Sequence, residues 1–406
     1  MKLLLTKPLS DVDAGDISRL SDHGEEESLT LELKGPLPVP KNQTDPWEEG
    51  KSRILDDTRD KILAEVVGMA NAAGGVVILG VDETDDEPRR AEAPRPLRDC
   101  VQLASRLEDK AWSCIEPRLP SLEVKGIPLS TDGAGVVLMR VPGRSLRGPH
   151  GLTTKHRAYV RRGSKTEPML VSEIRERTLQ TQRQLDELER RFTTRRQEFG
   201  KWWPVRDVTV IGIRATVAPA APVVSADAPY AYDELWPQPR DVSCSVNGSR
   251  SKIGIAHRWG GRSGPTPILR GALCMFKRDT EDIMRQFVFW DGLTDLWLRR
   301  RFSGSAAVYM EEILGAAYEA IRIAKLTARH GGAPGVDFLM EVQLASDKRG
   351  APLMTLSNTH GGQLRFEELP RQGVIGEDLA PPIKGVMNDL LNAAGLPIVA
   401  AFSLGS

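Results

Sequence analysis

The chain has 406 residues, which is more than one hydrophobic core usually serves, so its length predicts two domains. Hydrophobic residues make up 40% and charged residues 27% of the sequence, and no apolar run is long enough to cross a bilayer. This composition indicates a globular protein and excludes a membrane-spanning one. Lys and Arg total 55, as do Asp and Glu, and the net charge of zero conceals strong local imbalances.

The cysteines and the amino terminus bear on the compartment. Cys100, Cys114, Cys244 and Cys274 lie far apart and form no CxxC or Cys/His pair. This spacing argues against a zinc site or a disulfide framework and favours a reducing, cytoplasmic environment. The first ten residues have one short apolar patch and no cleavage-type pattern, so they are interpreted as mature protein rather than a signal peptide.

The first part of the chain alternates between helical and strand patterns. Residues 10–21 predict a short capped helix, residues 29–33 alternate as a strand, and the Pro-rich segment 35–50 predicts a loop. Asp56 and Asp57 are expected to cap a helix that runs to about Ala73. Gly74 and Gly75 then lead into an apolar run, 76–81, that is typical of a buried central strand. Further elements are predicted as a helix at 101–111 and strands at 136–141 and 158–161.

A long polar helix is predicted from Ser172 onward. Seven residues recur at spacings of three and four, which is a weak heptad: Val171, Ile174, Thr178, Thr181, Leu185, Leu188 and Phe192. A connecting helix packed on its own domain is the favoured interpretation, and a homodimer contact through 171–200 is the alternative.

The second half predicts a separate domain. Strands are expected at 207–217, 271–277 and 336–344, a helix at 305–330, and a connector rich in Pro and Ala at 218–240. The sequence therefore indicates an α+β fold with a first domain at 1–170, a linker helix at 171–200 and a second α+β domain at 201–406. The sequence does not indicate the function of the second domain, and recruitment of a partner protein is one hypothesis.

Two stretches of opposite charge lie in the first domain. Between Arg140 and Lys165 there are eight basic residues and no acid, whereas Asp82–Glu92 contains six acids against two arginines. Such a combination suits a domain that holds a polyanion and places carboxylates near it. Two solvated loops of opposite sign are the alternative.

Three carboxylates are candidates for chemistry. If the leucines of the 29–33 strand face the core, Glu27 and Glu32 lie on its other side, although their spacing of five requires a bend or bulge. Asp82 directly follows the buried strand, at the end where functional side chains often lie. Converging carboxylates predict a hard divalent cation, Mg²⁺ or Mn²⁺, which can activate water for attack on a phosphate. Lys34 beside them could pair with that phosphate.

Four blocks of sequence resemble the Schlafen AlbA-like domain, in that family's order. They read ESLTLELKG at Glu27–Gly35, GMANAAGGVVILGVDE at Gly68–Glu83, VPGRSLRGPH at Val141–His150 and YVRRGSKTEP at Tyr159–Pro168. The family pattern is a strand ending in Glu-Phe-Lys, a helix ending in Ala-Asn-x-x-Gly-Gly, a Gly-Val-Asp strand end, a Pro-His segment and an Arg-x-Gly-Ser turn. The resemblance covers roughly residues 25–170, about a third of the chain, and implies a mixed sheet with helices.

The resemblance implies a function as well. Nuclease members of the family cleave folded RNA such as tRNA with two glutamates, an aspartate and Mg²⁺ or Mn²⁺. The two glutamates and the aspartate match Glu27, Glu32 and Asp82, so the resemblance implies that these are catalytic and metal-binding residues. A role in antiviral defence or stress would follow by analogy only. Leu33 replaces the usual Phe, residues 36–53 lengthen the following segment, and the family's zinc-binding Cys/His set is missing.

Many bacterial relatives with the same motifs are described only as DNA-binding regulators or ATP-binding proteins. A non-catalytic nucleic-acid-binding regulator, or a subunit of a larger assembly, is therefore the alternative. A P-loop requires GxxxxGK[ST] between a strand and a helix, and the sequence contains none, so no ATP is expected.

The basic segment is the predicted nucleic-acid surface. Charged and hydroxyl side chains there suit phosphate contacts, and no recognition helix stands out, so folded RNA is favoured over sequence readout of DNA. The predicted contacts are Lys34, Arg144, Arg147, His150, Lys155, Arg157, Arg161, Arg162, Ser164 and Lys165. A solvated loop beside a strand edge guarded by basic residues is the alternative. A second aromatic and basic stretch, 290–301, is interpreted as core with Trp290, Leu293 and Trp297 at helical spacing, and a second nucleic-acid surface is the alternative.

Overall fold

A computed structural model gives the arrangement of most of the chain. It describes residues 4–5, 7, 9–40, 43–119, 121–143, 145–202, 209–220, 223, 241–254, 265–268, 271–277, 282–302, 307–331, 336–346, 350–356, 360–365, 369–374 and 378–405. The chain forms two compact units, the first comprising residues 1–185 and 332–337 and the second residues 186–331 and 338–406.

Among the described residues of the first unit are a 3₁₀ turn at Leu9–Asp11 and the helices α1 at Ala14–Asp22, α2 at Asp56–Ala70 and α3 at Cys100–Cys114. Asp13 begins α1, because its side chain accepts from the backbone N of Asp16 while Asp16 reaches back in a capping box. The predicted cap of α2 is different in the structure. Leu55 precedes the helix without a side-chain cap, and Asp56 and Asp57 lie inside its first turn, where their charges favour the helix dipole.

The strands of the first unit form a main sheet and smaller ones. They are β1 at Leu31–Lys34, β2 at Gly75–Leu79, β3 at Val81–Glu83, β4 at Ala91–Pro94, β5 at Ile115–Glu116, β6 at Glu123–Pro128, β7 at Gly135–Val141, β8 at Gly151–Leu152, β9 at Arg157–Arg162 and β10 at Lys165–Pro168. The main sheet has the order β1-β2-β7-β6, in which β1 is parallel to β2 and the other pairs are antiparallel. A second sheet has the order β10-β9-β8-β5, and β3 pairs with β4.

The main sheet is covered on both faces, which explains the uninterrupted apolar run of β2. Val76 and Ile78 belong to a core with Leu31, Leu33 and the inner side of α1. Val77 and Leu79 point the other way, into a core that includes Ile62, Val66, Leu103 and Leu107 of α2 and α3. Successive strand residues face opposite sides, so a strand buried on both sides has no polar position. The predicted central strand is confirmed.

The long helix α4 runs from Val171 to Trp202, as the sequence predicts. The first half of α4 is polar and exposed to solvent, with Val171 84% and Leu179 50% exposed. In its second half, Leu188, Phe192 and Phe199 are buried. The boundary between the two units falls within this helix. The predicted dimer contact through 171–200 stays a prediction.

The described strands of the second unit are β11 at Thr209–Pro219, β12 at Val242–Val246, β13 at Ser249–Ile253, β14 at Thr266–Ile268, β15 at Gly271–Lys277, β16 at Ile283–Phe289, β17 at Thr294–Phe302, β18 at Val308–Tyr309, β19 at Phe338–Ser346, β20 at Gly350–Met354, β21 at His360–Arg365, β22 at Gln372–Val374 and β23 at Phe402–Leu404. Within these residues they form a seven-stranded sheet with the order β14-β15-β16-β17-β11-β19-β22 and two three-stranded sheets, β13-β12-β23 and β18-β20-β21. Helices α5 at Met310–His330 and α6 at Ala380–Ala393 complete it. The α+β prediction is confirmed for both units.

One predicted pattern in the second unit is wrong. The 290–297 segment is not helical, because β17 begins at Thr294 and Trp290 lies in the preceding turn, 48% exposed. Leu293 and Trp297 are buried nevertheless. The predicted connector 218–240 lies mostly outside the described residues. All four cysteines are free and buried, and none of the described helices is long and apolar enough to span a membrane.

Candidate active site

The carboxylate cluster of the first unit is built on the free edge of β1. This strand is at the edge of its sheet, so its outward backbone groups need partners from elsewhere. A tight turn precedes it, in which the backbone N of Ser28 donates to the carbonyl of Leu31 at 3.1 Å. The turn folds Glu27 back along the strand, where its Oε1 accepts from the backbone N of Leu33 at 3.0 Å. This turn supplies the bend that Glu27 and Glu32, five residues apart, require to lie on the same side of the strand.

Glu32 is the buried centre of the cluster, with 2% of its surface exposed. Its Oε1 lies 2.5 Å from Nζ of Lys34, the neighbour two residues along on the same strand face. Its Oε2 lies 2.6 Å from Nη1 of Arg161 on β9. Burial of a carboxylate is costly unless its charge is compensated, and here two cations of the same chain compensate it.

The third carboxylate of the cluster is Glu83, which the sequence analysis did not select. Its Oε1 lies 2.5 Å from Nη1 of Arg89 and 3.9 Å from Nζ of Lys34. Its Oε2 is buried and accepts no hydrogen bond within the described part of the chain. Alternation would put Glu83 on the buried side of Val81, but the pairing of β3 with β4 shifts register between these two residues. That irregularity is invisible in a single sequence, although Glu83 directly follows Asp82.

Burial, together with the neighbouring acids, raises the pKa of Glu27 to about 8. Burial of its half-exposed carboxyl is the largest cause, and the charges of Glu32 and Glu83 act in the same direction against the hydrogen bond from Leu33. Burial and Glu32 likewise raise the pKa of Glu65, which reaches the cluster from α2. Glu27 therefore holds a proton at neutral pH in the absence of a further cation.

Asp82 lies at the same end of the sheet but packs differently. Its carboxylate rests on Gly35, so closely that a Cβ built there would stand 1.7 Å from Asp82 Oδ1. This contact gives a physical reason for the glycine that follows Lys34. Among the described residues, no group of three or more His, Cys, Asp and Glu side chains is arranged to hold a metal ion. The acids that the structure gathers are Glu27, Glu32 and Glu83, whereas Asp82 occupies the adjacent position.

Arg161 belongs to the interior rather than to a nucleic-acid surface, which corrects its predicted role. Its side chain is fully buried and donates to the carbonyls of Ser28 and Leu31, each at 2.9 Å. It also lies 3.2 Å from Glu65 Oε2 in addition to its ion pair with Glu32. Arg161 thus fixes the edge of β1, its turn and two acids at once. The long separation in sequence from β1 hides this role.

His150 is also interior, in contrast to its predicted role. It is fully buried, its Nδ1 lies 2.6 Å from the carbonyl oxygen of Pro117, and its backbone N donates to Asn71 Oδ1 at 2.8 Å. Burial lowers the pKa of His150, so the ring is neutral at physiological pH. It joins the loop before β8 to the end of α2 instead of meeting a phosphate.

The remaining basic residues divide into paired and free ones. Arg162 is paired with Glu167 and Glu173, and Lys155 lies 3.4 Å from Asp60. Arg147, Arg157 and Lys165 are exposed and form no ion pair with any residue that the structure describes. Ser164 is half-buried in the turn before β10, and Arg144 lies outside the described residues. The free positive charge of this segment is therefore smaller than its composition suggests.

Comparison with known proteins supports the resemblance seen in the sequence. Residues 27–170 match a family model described as Schlafen, AlbA_2. The matched segment begins at Glu27 and ends two residues after β10, so it contains the carboxylate cluster and the basic segment. No curated protein and no solved structure matches the chain. A domain of this kind points to a nucleic-acid-related function for the first unit.

Proposed function

We propose that the first unit binds folded RNA, such as tRNA, and cleaves its phosphodiester backbone with the help of Mg²⁺ or Mn²⁺. The observation that carries the proposal is the gathering of Glu27, Glu32 and Glu83 around Lys34 at the open edge of β1. The match to Schlafen, AlbA_2 over the same residues supports it. A role in antiviral defence would follow from such an activity by analogy alone.

The residues present fit a hard divalent cation in their chemistry. All three offer carboxylate oxygens, the ligand type that Mg²⁺ and Mn²⁺ prefer, and Glu83 Oε2 is buried without a hydrogen-bond donor. The Lys34 ammonium already stands between Glu32 and Glu83 as a built-in positive charge. Glu32, Glu83 and, once deprotonated, Glu27 would hold the cation, with Asp82 as the adjacent carboxylate.

The chain's own residues then have distinct tasks in this proposal. A bound cation supplies Lewis acidity, which generates a nucleophilic water and neutralises charge on the phosphate. Arg161 is fixed by its hydrogen bonds to the carbonyls of Ser28 and Leu31, and it pairs with Glu32. It therefore holds Glu32 in place and acts as a positioning residue. Arg147, Arg157 and Lys165 carry the exposed charge that binds the RNA backbone. Binding through such charges is expected to weaken steeply with salt.

A non-catalytic nucleic-acid-binding function is the second candidate. It is favoured by one observation: both oxygens of Glu32 are engaged by Lys34 and Arg161 of the same chain. In this case the acids would serve only to hold β1, β3 and β9 together, and the exposed cations alone would bind nucleic acid.

The experiment incubates the full chain with labelled tRNA and with plasmid DNA, in Mn²⁺ or in EDTA. We expect RNA cleavage that disappears in EDTA and in Glu32→Gln and Glu83→Gln, while binding persists. Glu108→Gln is the matched control, because Glu108 is exposed on α3, and it should cleave like the wild type. Binding without cleavage in any metal would select the second candidate, and absence of binding would contradict both.

A further inference from the structure

We infer that Lys34 is the resident cation of the carboxylate cluster and that a divalent ion enters only by displacing its ammonium group from Glu32. The inference rests on the proposed function, because it concerns how the same acids take up their metal. It assigns to Lys34 a gating task that differs from the phosphate contact predicted from the sequence.

The contacts place Lys34 where a metal would be expected. Its Nζ lies 2.5 Å from Glu32 Oε1 and 3.9 Å from Glu83 Oε1, so the ammonium is near two of the three acids. The side chain is only 26% exposed. Burial lowers the pKa of Lys34, but the opposing charges of Glu32, Glu83 and Glu27 outweigh it, and the net shift is upward. Lys34 therefore stays charged in the cluster.

The balance of charge shows why a cation is needed there. With Glu27 protonated, the carboxylates of Glu32, Glu65 and Glu83 meet three bases, Lys34, Arg89 and Arg161. Removal of Lys34 leaves Glu32 with Arg161 alone and leaves Glu83 with Arg89. The carboxylates of Glu32 and Glu83 would then lack the positive charge that lies near both of them.

Of the two bases that pair with Glu32, Lys34 is the one that can leave. Arg161 is fully buried and tied to the carbonyls of Ser28 and Leu31, so it cannot move without opening the edge of β1. Arg89 contacts Glu83 from outside and does not touch Glu32. Lys34 has a flexible four-carbon stem and a partly exposed side chain at the end of its strand. A divalent ion and the Lys34 ammonium repel each other when both lie close to the carboxylate oxygens of Glu32 and Glu83. Binding of one at these oxygens therefore excludes the other.

The test measures Mn²⁺ binding to the full chain by electron paramagnetic resonance of free Mn²⁺, without RNA. Lys34→Met should tighten Mn²⁺ binding at one site by about tenfold or more, which corresponds to roughly 1.4 kcal/mol. Lys51→Met is the matched control, since Lys51 also pairs with a glutamate two residues away, Glu49 at 2.7 Å, but on the exposed surface. It should bind Mn²⁺ like the wild type. Unchanged or weaker binding in Lys34→Met, or no binding by any variant, would overturn the inference.

A second measurement keeps the inference testable if Lys34→Met does not fold. In wild-type protein with ¹³C-labelled lysine, the Lys34 Cε resonance is identified by its loss in Lys34→Arg. Titration with Mg²⁺ should shift this resonance toward that of a solvated lysine, and a resonance that stays in place at saturating Mg²⁺ would contradict displacement. Both measurements are independent of RNA cleavage, so a Lys34 response without cleavage refutes only the nuclease, and cleavage without a Lys34 response refutes only the gate.

Discussion

Two neighbouring arginines on β9 show how far the role of a residue depends on strand alternation. Arg161 faces the main sheet and is fully buried, whereas Arg162 faces outward, is 43% exposed and pairs with Glu167 and Glu173. In the sequence they are equivalent members of one basic run. In the fold, one stabilises the acids of the site and the other belongs to the surface.

Arg161→Met should therefore destabilise the protein far more than Arg162→Met. Loss of the guanidinium leaves Glu32 with Lys34 alone, and it removes the ion pair of Glu65 and the donor to the Ser28 carbonyl. Breaking a buried pair in this way costs about 3–5 kcal/mol. Loss of the two exposed pairs in Arg162→Met should cost far less, because solvent screens them. Urea unfolding followed by circular dichroism checks both. Equal midpoints for the two variants would contradict the buried role of Arg161.

Glu27 gives a prediction of pH dependence. Its pKa is about 8 in the folded chain and 4.5 in the reference state, so between these values the folded state keeps a proton that the unfolded state has lost. The contribution of Glu27 to stability is complete below pH 4.5 and is lost as the pH rises toward 8. Its partial exposure makes the effect smaller than for a fully buried group.

Glu27→Gln, which mimics the protonated carboxyl, should remove that part of the pH dependence. The measurement is the unfolding free energy of both proteins at several values from about pH 5 to about pH 9 in EDTA. Glu26→Gln is the control, because Glu26 is half-exposed and pairs with Arg90 on the surface. A wild-type curve parallel to that of Glu27→Gln across this range would show that the pKa is not raised.

At the scale of elements, the site depends on two local irregularities. The turn at Ser28–Leu31 folds Glu27 back beside β1, and the register shift in β3 releases Glu83 from the side of Val81. Without the turn and the register shift, Glu27 and Glu83 would not lie beside each other. Bulges and tight turns next to a strand edge commonly re-aim side chains in this way.

The contact between β1 and β3 can be tested at Gly35. Gly35→Ala places a Cβ 1.7 Å from Asp82 Oδ1 and 2.8 Å from its Cγ, so Asp82 must move. We expect a loss of about 1–3 kcal/mol in stability, as for overpacking, together with weaker Mn²⁺ binding. Gly200→Ala is the control, because nothing lies within 4 Å of the added Cβ in α4. A Gly35→Ala protein as stable as the wild type and with unchanged Mn²⁺ binding would remove Asp82 from the site.

Sequence reasoning predicted elements better than it predicted contacts. The apolar run of β2 and the stripe of α2 follow from burial, which periodicity records directly. Buried charges leave no such record, because Arg161 is indistinguishable in sequence from an exposed arginine. The second unit gives the same lesson: Arg214, fully buried, pairs with Glu341 across adjacent strands, a partnership between residues far apart in sequence. Glu83 was missed because alternation fails at the register shift.

At the scale of the whole molecule, the first unit contains hydrophobic clusters of its own. The two large hydrophobic clusters of the first unit draw all their members from residues 4–159. A fragment of residues 1–185 should accordingly fold alone, since its apolar side chains already bury one another. Cooperative thermal unfolding of this fragment by circular dichroism, with the same Arg161→Met destabilisation as in the full chain, is the expected result. A fragment that melts without a transition would mean that the first unit draws stability from residues beyond 185.

Because a fragment of residues 1–185 keeps Glu27, Glu32, Glu83 and Lys34, its Mn²⁺ affinity should equal that of the full chain. Equal affinities would separate the metal site from any contribution of the second unit.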